Sequence, residues 1–329
     1  MKSNILKFIF GISIACALWS CKNGDIDFPD FEEGTTVYFP YQYPVRTIVL
    51  GDDEYDTSMD QAHKCKIMAT FGGSYNGIDG SVTVAVDNSL CDNLFFEDEV
   101  TPVKVMPENY YQLSTTTLAF NGTMNGATEV QLTDAFFSDP DAVKNTYVIP
   151  LVMTGQTGFT KILTGSLNEG QTGSRTDATV WDVKPMDYVL YCVKFQNKYS
   201  GFWLTHGTTS TADIEKAQPV EVRTLSLSDC SYTVSYQDGD QIYQADLRLS
   251  FDGSNNCQIT SLTDGATALG TGSWGDNTEK KAWGDKDRDG LELNYTVDFG
   301  NGKTFSTHEK MVWQRSGVTI EEFAPVYKK

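Results

Sequence analysis

Apolar residues in this chain recur in short alternating runs, with no long stretch at helical spacing. Val82, Val84 and Val86 alternate with Ser81, Thr83, Ala85 and Asp87, the period of a strand with one buried face. Lys64 to Thr70, Tyr111 to Ser114, Thr128 to Leu132 and Tyr147 to Met153 are further predicted strands. Pro150 lacks an amide proton, so the last of these is expected at a sheet edge or a bulge. Turn signals stand between the runs at Gly72-Gly73, Asn76-Gly77, Asn121-Gly122 and Asn125-Gly126. Residues 34–165 therefore read as an immunoglobulin-like β-sandwich.

Gly165 to Asp182 is rich in Gly, Ser, Thr and Asn, which predicts a linker over 166–184. Beyond it, residues 185–329 resume with Tyr188 to Phe195 and Phe202 to Leu204, followed by hairpins. Tyr232-Val234-Tyr236 and Ala245-Leu247-Leu249 alternate on either side of Asp238-Gly239-Asp240. Asp252-Gly253, Asp264-Gly265 and Asn301-Gly302 mark further tight turns. Consecutive strands joined this way predict an up-and-down antiparallel barrel, which leaves no exposed edge. Gly201-Phe202-Trp203 resembles the Gly-x-Trp opening of lipocalin-like (calycin) barrels. That resemblance implies that Arg315, just past Met311-Val312-Trp313, packs over Trp203. The fold class expected is all-β: sandwich, then barrel.

The first residues are unlike the rest. Lys2 and Lys7 precede an apolar run from Phe8 to Trp19, about a dozen residues and too short to span a bilayer core of roughly 30 Å. Residues 1–20 read as a cleavable signal. Leu18-Trp19-Ser20-Cys21 resembles the lipobox of bacterial lipoproteins, making Cys21 the lipidated residue; an ordinary secretory signal is the alternative. Residues 21–33 are polar and acidic, as a tether would be. The formal charge is -19, and cleavage would remove Lys2 and Lys7 but no acid, taking it to -21. So acidic a surface repels phosphate backbones and anionic headgroups, which excludes nucleic acid as a partner. Five cysteines follow Cys21. Cys65–Cys91 and Cys230–Cys257 are conceivable bridges, but the odd count leaves one thiol over, and no disulfide framework follows.

Several segments resemble two-domain surface lipoproteins of the Bacteroidetes that begin with the domain of unknown function DUF1735. The matching residues are Val37-Tyr38-Phe39-Pro40, Thr70 through Gly73, Val84 through Leu90, Met106-Pro107, Tyr110 through Ser114 and Tyr147 through Leu151. Trp181-Asp182-Val183, Tyr188 through Tyr191 and Lys194 through Asn197 are similar to the companion C-terminal β-domain (DUF5627/DUF4361-like). The resemblance implies a cell-envelope lipoprotein of a polysaccharide-utilisation system that binds glycan at the surface. Asp25 and Asp27 just past Cys21 add the expectation of a lipid-anchored outer-membrane protein facing the exterior, and with no family catalytic residue to carry over it is expected to be non-catalytic. Its partners would be a glycan or polysaccharide, the membrane through the lipid, and an outer-membrane importer complex.

The candidate chemistry is sparse. His63, His206 and His308 form no metal or catalytic motif. Asp285, Asp287 and Asp289, followed by Gly290, match the start of an EF-hand loop. Thr296 stands where that loop needs a bidentate glutamate and Glu292 where it needs an apolar residue. The run is either a calcium-stabilised loop of another kind or a charged hairpin turn neutralised by Lys286 and Arg288; otherwise no cofactor is expected. Sugars present flat C–H faces ringed by hydroxyls, so a glycan site needs exposed aromatics beside Asp and Asn. Trp274 with Asp276 and Asn277, and Trp283 beside Asp285, supply that pattern in expected loops, and Tyr41 and Tyr43 supply something similar in the first domain. Glycan binding leads on these grounds. A fimbrial component trimmed after Arg46 is the structural alternative, and a glycoside hydrolase or its accessory protein the enzymatic one.

Overall fold

The computed structural model describes residues 29–215 and 219–329; Cys21 and the signal lie outside the described residues. Among the described residues the regular structure is strand, broken only by helices of three or four residues. Among the described residues no helix is long and apolar enough to cross a membrane.

Two sheets make the sandwich. One runs in the order Lys161–Ile162, Thr36–Tyr38, Lys64–Gly72, Asn125–Leu132, Tyr111–Leu113. The other runs Glu321–Glu322, Pro44–Val49, Tyr188–Gln196, Tyr147–Thr157, Ser81–Val86, Thr117–Ala119. Alternation does the sorting: Cys65, Ile67, Ala69 and Phe71 point inward from one sheet and meet Val82, Val84, Ile149 and Leu151 from the other. Asn125-Gly126, expected as a turn, instead opens a strand.

Further expectations about the sandwich need correction. Pro150 lies in a central strand, not at an edge. It pairs with Leu190, whose own amide bonds Gln42. On its other side it falls between the partners of Tyr147–Val148 and those of Leu151–Thr157, where no ladder bond needs its missing proton. Tyr188–Gln196, expected to open the barrel, is a sandwich strand between Tyr147–Thr157 and Pro44–Val49. The segment before it is no free connector: Ser166–Leu167 pairs with Trp181–Val183, and Arg175 grips buried Asp187 through two nitrogens at 3.1–3.2 Å.

The barrel begins at Gly201. Eight antiparallel strands run from Gly201–Thr209 through Val220–Thr224, Asp229–Asp238, Gln241–Phe251, Asn256–Ser261, Thr267–Trp283 and Lys286–Asp298 to Thr304–Arg315, which pairs back onto the first. His206 lies within the first of these strands, exposed. Gly239-Asp240 makes a two-residue hairpin as its sequence predicts. At the closing seam a bulge sets Phe202 opposite Arg315 and Trp203 opposite Trp313. Both tryptophans therefore turn into the core, while Arg315 stacks over Phe202 at 4.8 Å and not over Trp203. The bulge, absent from any count of alternate residues, is why that expectation fails.

All five described cysteines are free thiols. Neither conceivable bridge is formed, and burial pushes each thiol up to about 12, so none is a reactive thiolate.

After the barrel the chain returns to the sandwich. Gln196 donates to the Ser316 carbonyl at 3.0 Å where the chain enters and leaves the barrel. Glu321–Glu322 then pairs with Pro44–Val45, and Val326–Tyr327 with Leu94–Phe95. Between them Phe323 is buried against Tyr43 and Phe96.

Candidate functional site

The tryptophans picked out by sequence have different surroundings. Trp274 and Asn277 lie in the strand Thr267–Trp283, not in a loop. Trp274 pairs with Leu291, an inward residue, so it shares that face and closes one end of the barrel. Its ring meets Tyr199 edge-on at 5.6 Å and is covered by the Lys198 ammonium at 4.4 Å. Asp276 and Asn277 stand in a bulge of the same strand, with the Asn277 amide on Asp289 at 2.9 Å. Trp283 is 47 % exposed beside the hairpin tip.

The aspartate run is a hairpin. Gly284 and Asp285, both at positive φ, form its two-residue turn, and Asp287 and Asp289 follow along the strand Lys286–Asp298. Extended backbone advances about 3.3 Å per residue, so the three carboxylates are strung out and do not converge. Asp287 accepts from Lys280 at 2.8 Å and Asp285 faces Lys281 at 3.7 Å, so the run is a charged hairpin turn. Its partners are Lys280 and Lys281 in place of the expected Lys286 and Arg288; Arg288 donates to the Trp283 carbonyl at 3.4 Å. Among the described residues no group of three or more His, Cys, Asp or Glu could hold a metal ion. Asp289 is distinctive in another way. Burial pushes its carboxyl up to about 6, Asn277 opposes that, and the nearby Asp276 and Asp52 add to it.

Concave surface with exposed aromatics occurs where the returning tail meets the sandwich. A groove of about 560 Å³ lies along Pro44–Val49. Tyr41, 56 % exposed, and Tyr55, 42 % exposed, stand on the sandwich side; Val318 to Glu322 form the other wall. Sequence order builds the floor. The short helix Ser58–Gln61 carries Asp60 under the strand, where its carboxylate accepts from the Val49 amide at 3.0 Å and holds Arg46 in an ion pair. Arg46 also donates to the Thr47 carbonyl at 2.8 Å. Opposite, Lys194 at 2.7 Å and Asn145 at 2.9 Å bond Glu321. Burial pushes the Glu321 carboxyl up, yet those two bonds outweigh it and hold it below its usual range.

Tyr41 was visible in the sequence as an aromatic beside polar residues. Tyr55 and the tail were not, because 263 or more residues separate the groove's two walls and no local pattern encodes such a meeting.

A family model for a domain of unknown function, DUF5627, matches residues 198–317, which is the barrel. An N-terminal-domain family model matches residues 31–160, within the sandwich. No curated protein matches the chain. Among solved structures, a Bacteroides ovatus protein of unknown function is 33% identical with a TM-score of 0.82, over 91% of this chain and 100% of its own. A multidomain B. ovatus protein including DUF1735 aligns at 12% identity and a TM-score of 0.43, over 87% of this chain and 99% of its own.

Proposed function

The chain belongs to the two-domain Bacteroides family of that full-length relative, and from this premise we propose that it is a non-catalytic lipoprotein holding glycan at the outer-membrane surface. The observation that carries the reading is the groove at the tail, where two exposed tyrosines stand over fixed polar groups. Tyrosine faces suit the C–H face of a sugar ring, and Arg46, Thr47 and Glu322 offer donors and acceptors to its hydroxyls. Cys21, lipidated, supplies the anchor, and the acidic tether lets the two β-domains stand off the membrane beside an importer complex. The exposed Trp283, with Asp276 and Asn277 on the same hairpin, is a second contact surface in this proposal.

The groove's carboxylates argue for binding over hydrolysis. A glycosidase needs one carboxyl held protonated and another facing it roughly 5–10 Å away. Glu321 is ion-paired and held below its usual range. Asp60, although burial pushes its carboxyl up, is enclosed beneath the strand by Arg46 and the Val49 amide and faces no open groove. Glu322 neighbours Glu321 on a strand, where successive side chains take opposite faces. Trimming after Arg46, as a fimbrial precursor would require, would cut inside Pro44–Val49 and free its pair with Asp60.

The test is native electrophoresis in gels cast with a panel of plant and microbial polysaccharides. One or more should retard the protein, and Tyr41→Ala and Tyr55→Ala should each lose most of that retardation. If both variants are retarded like the parent while Trp283→Ala is not, the hairpin is the site and the groove is not. Failure of every polysaccharide to retard the protein would sink the glycan reading.

A further inference from the structure

The groove at Tyr41 and Tyr55 has a neighbour. A second groove, of about 420 Å³, lies where the segment Gln42–Tyr43 and the tail Phe323–Pro325 face the excursion that precedes Tyr188–Gln196. Glu322 belongs to the walls of both grooves, and Tyr41 lines the first while Gln42 and Tyr43 line the second. The second has its own aromatic, Trp181, fixed by a 2.9 Å bond from its indole nitrogen to the Ser174 carbonyl. The same returning tail lines both grooves.

The charges along this combined path cancel, although the molecule carries a formal -19. Arg46 is paired with Asp60, Arg175 with Asp187, and Glu321 with Lys194. The two lining charges outside those pairs, Glu322 and Lys184, are of opposite sign. A polyanion entering here would lose hydration and find a single unpaired cation, Lys184, offset by Glu322, while the acidic surroundings repel it. A polycation would find one unpaired carboxylate, Glu322, offset by Lys184, and the others already engaged. Uncharged hydroxyls can still bond to the free edges of these paired groups.

Resting on the glycan reading above, we infer that the two grooves form one path for a neutral polysaccharide chain several sugars long, with Tyr41 and Tyr55 at the primary end and Trp181 at the other. Two aromatic stations joined through Glu322 make affinity depend on chain length, since a second station binds at a high effective concentration once the first is filled.

The experiment uses the mature chain with Cys21→Ser, so that the protein is soluble but otherwise whole. Neutral probes are starch, mannan, galactomannan and arabinoxylan; anionic probes are polygalacturonate, alginate and chondroitin sulfate. Whichever neutral polymer binds is then cut to defined lengths, and calorimetry compares its disaccharide with its octasaccharide. The octasaccharide should bind at least about tenfold more tightly. Ala178→Trp, at an exposed position on the second groove's wall, should cost most of that gain and leave the disaccharide unchanged. Because it fills open space and removes no packed side chain, it should fold as the parent does, which its circular dichroism and melting curve will show. Equal affinity for both lengths, an octasaccharide indifferent to Ala178→Trp, or preference for the anionic polymers would each overturn the path while leaving glycan binding in place. Binding to none of the probes would overturn the path and the glycan reading together.

Discussion

Glu309 sits inside the barrel with 1 % exposure, and among the described residues no cation forms an ion pair with it. Thr205 and Tyr295 donate to its carboxylate at 2.7 Å and Tyr232 at 3.1 Å, three hydroxyls standing in for the water it has lost. Burial, reinforced by Glu309 itself, pushes both tyrosines well above their ordinary values, so they remain donors. Glu309→Ala would leave those hydroxyls without their acceptor, and we expect a loss of roughly 3–5 kcal/mol in denaturant unfolding. Asp289 is a partly buried carboxyl of another kind. Its raised folded-state value means the native state binds the proton more tightly than the unfolded chain does. Its contribution is therefore favourable below the unfolded value near 4 and is lost as pH rises through about 6. Asp289→Asn keeps the oxygen that accepts from Asn277 and removes the charge. At pH 7.5 it should stabilise by on the order of 1 kcal/mol, after discounting for partial exposure, and the gain should vanish by pH 4.5. Thermal melts of the two proteins across that range decide it; an equal gain at both pH values would refute the assignment.

At the scale of elements, the barrel closes through one irregularity. Gly201 has φ +124, and a Cβ there would stand 2.6 Å from the Arg315 carbonyl oxygen and 2.8 Å from the Trp313 indole nitrogen. That indole nitrogen donates to the Ser200 carbonyl at 3.2 Å, so the seam depends on backbones lying close together. Gly201→Ala combines a disfavoured φ with a backbone clash and should cost roughly 2–3 kcal/mol. Barrel-selective loss of cooperativity in thermal unfolding, followed by the fluorescence of Trp203 and Trp313, would register it. Gly-x-Trp was legible in the sequence as a strand opening. The bulge beside it was not, since a one-residue offset changes which side chains face each other without altering the residues themselves.

The whole molecule is held by a chain that leaves the sandwich, makes the barrel, and returns. Asn197, 2 % exposed, is the pivot: its amide donates to the carbonyls of Ser226 at 2.8 Å and Asp229 at 3.2 Å, and its oxygen accepts from Tyr199 and Ser200. The tail then pairs with Pro44 and Val45, covering the start of the Pro44–Val49 edge, which would otherwise offer unpaired backbone to another strand. Phe323 is its anchor. Phe323→Ala should cost about 3–4 kcal/mol by cavity formation, and both Tyr41-side and Trp181-side binding should weaken with it, because the tail forms a wall of each groove. Unfolding curves together with gel retardation of the same variant check both halves of that statement.

Sequence by itself determined what is local: alternating strands, tight turns such as Asn121-Gly122 and Gly239-Asp240, a sandwich followed by a barrel, and an acidic surface. These are set by residues within a few positions of each other, through period, propensity and φ. Tertiary structure alone decided that Tyr188–Gln196 belongs to the sandwich, that Trp274 is barrel packing, and that Tyr55 faces Val318 to Glu322 across a groove. Strand partners and groove walls are chosen by burying the largest shared apolar area among segments hundreds of residues apart, and no single segment carries the record of that choice.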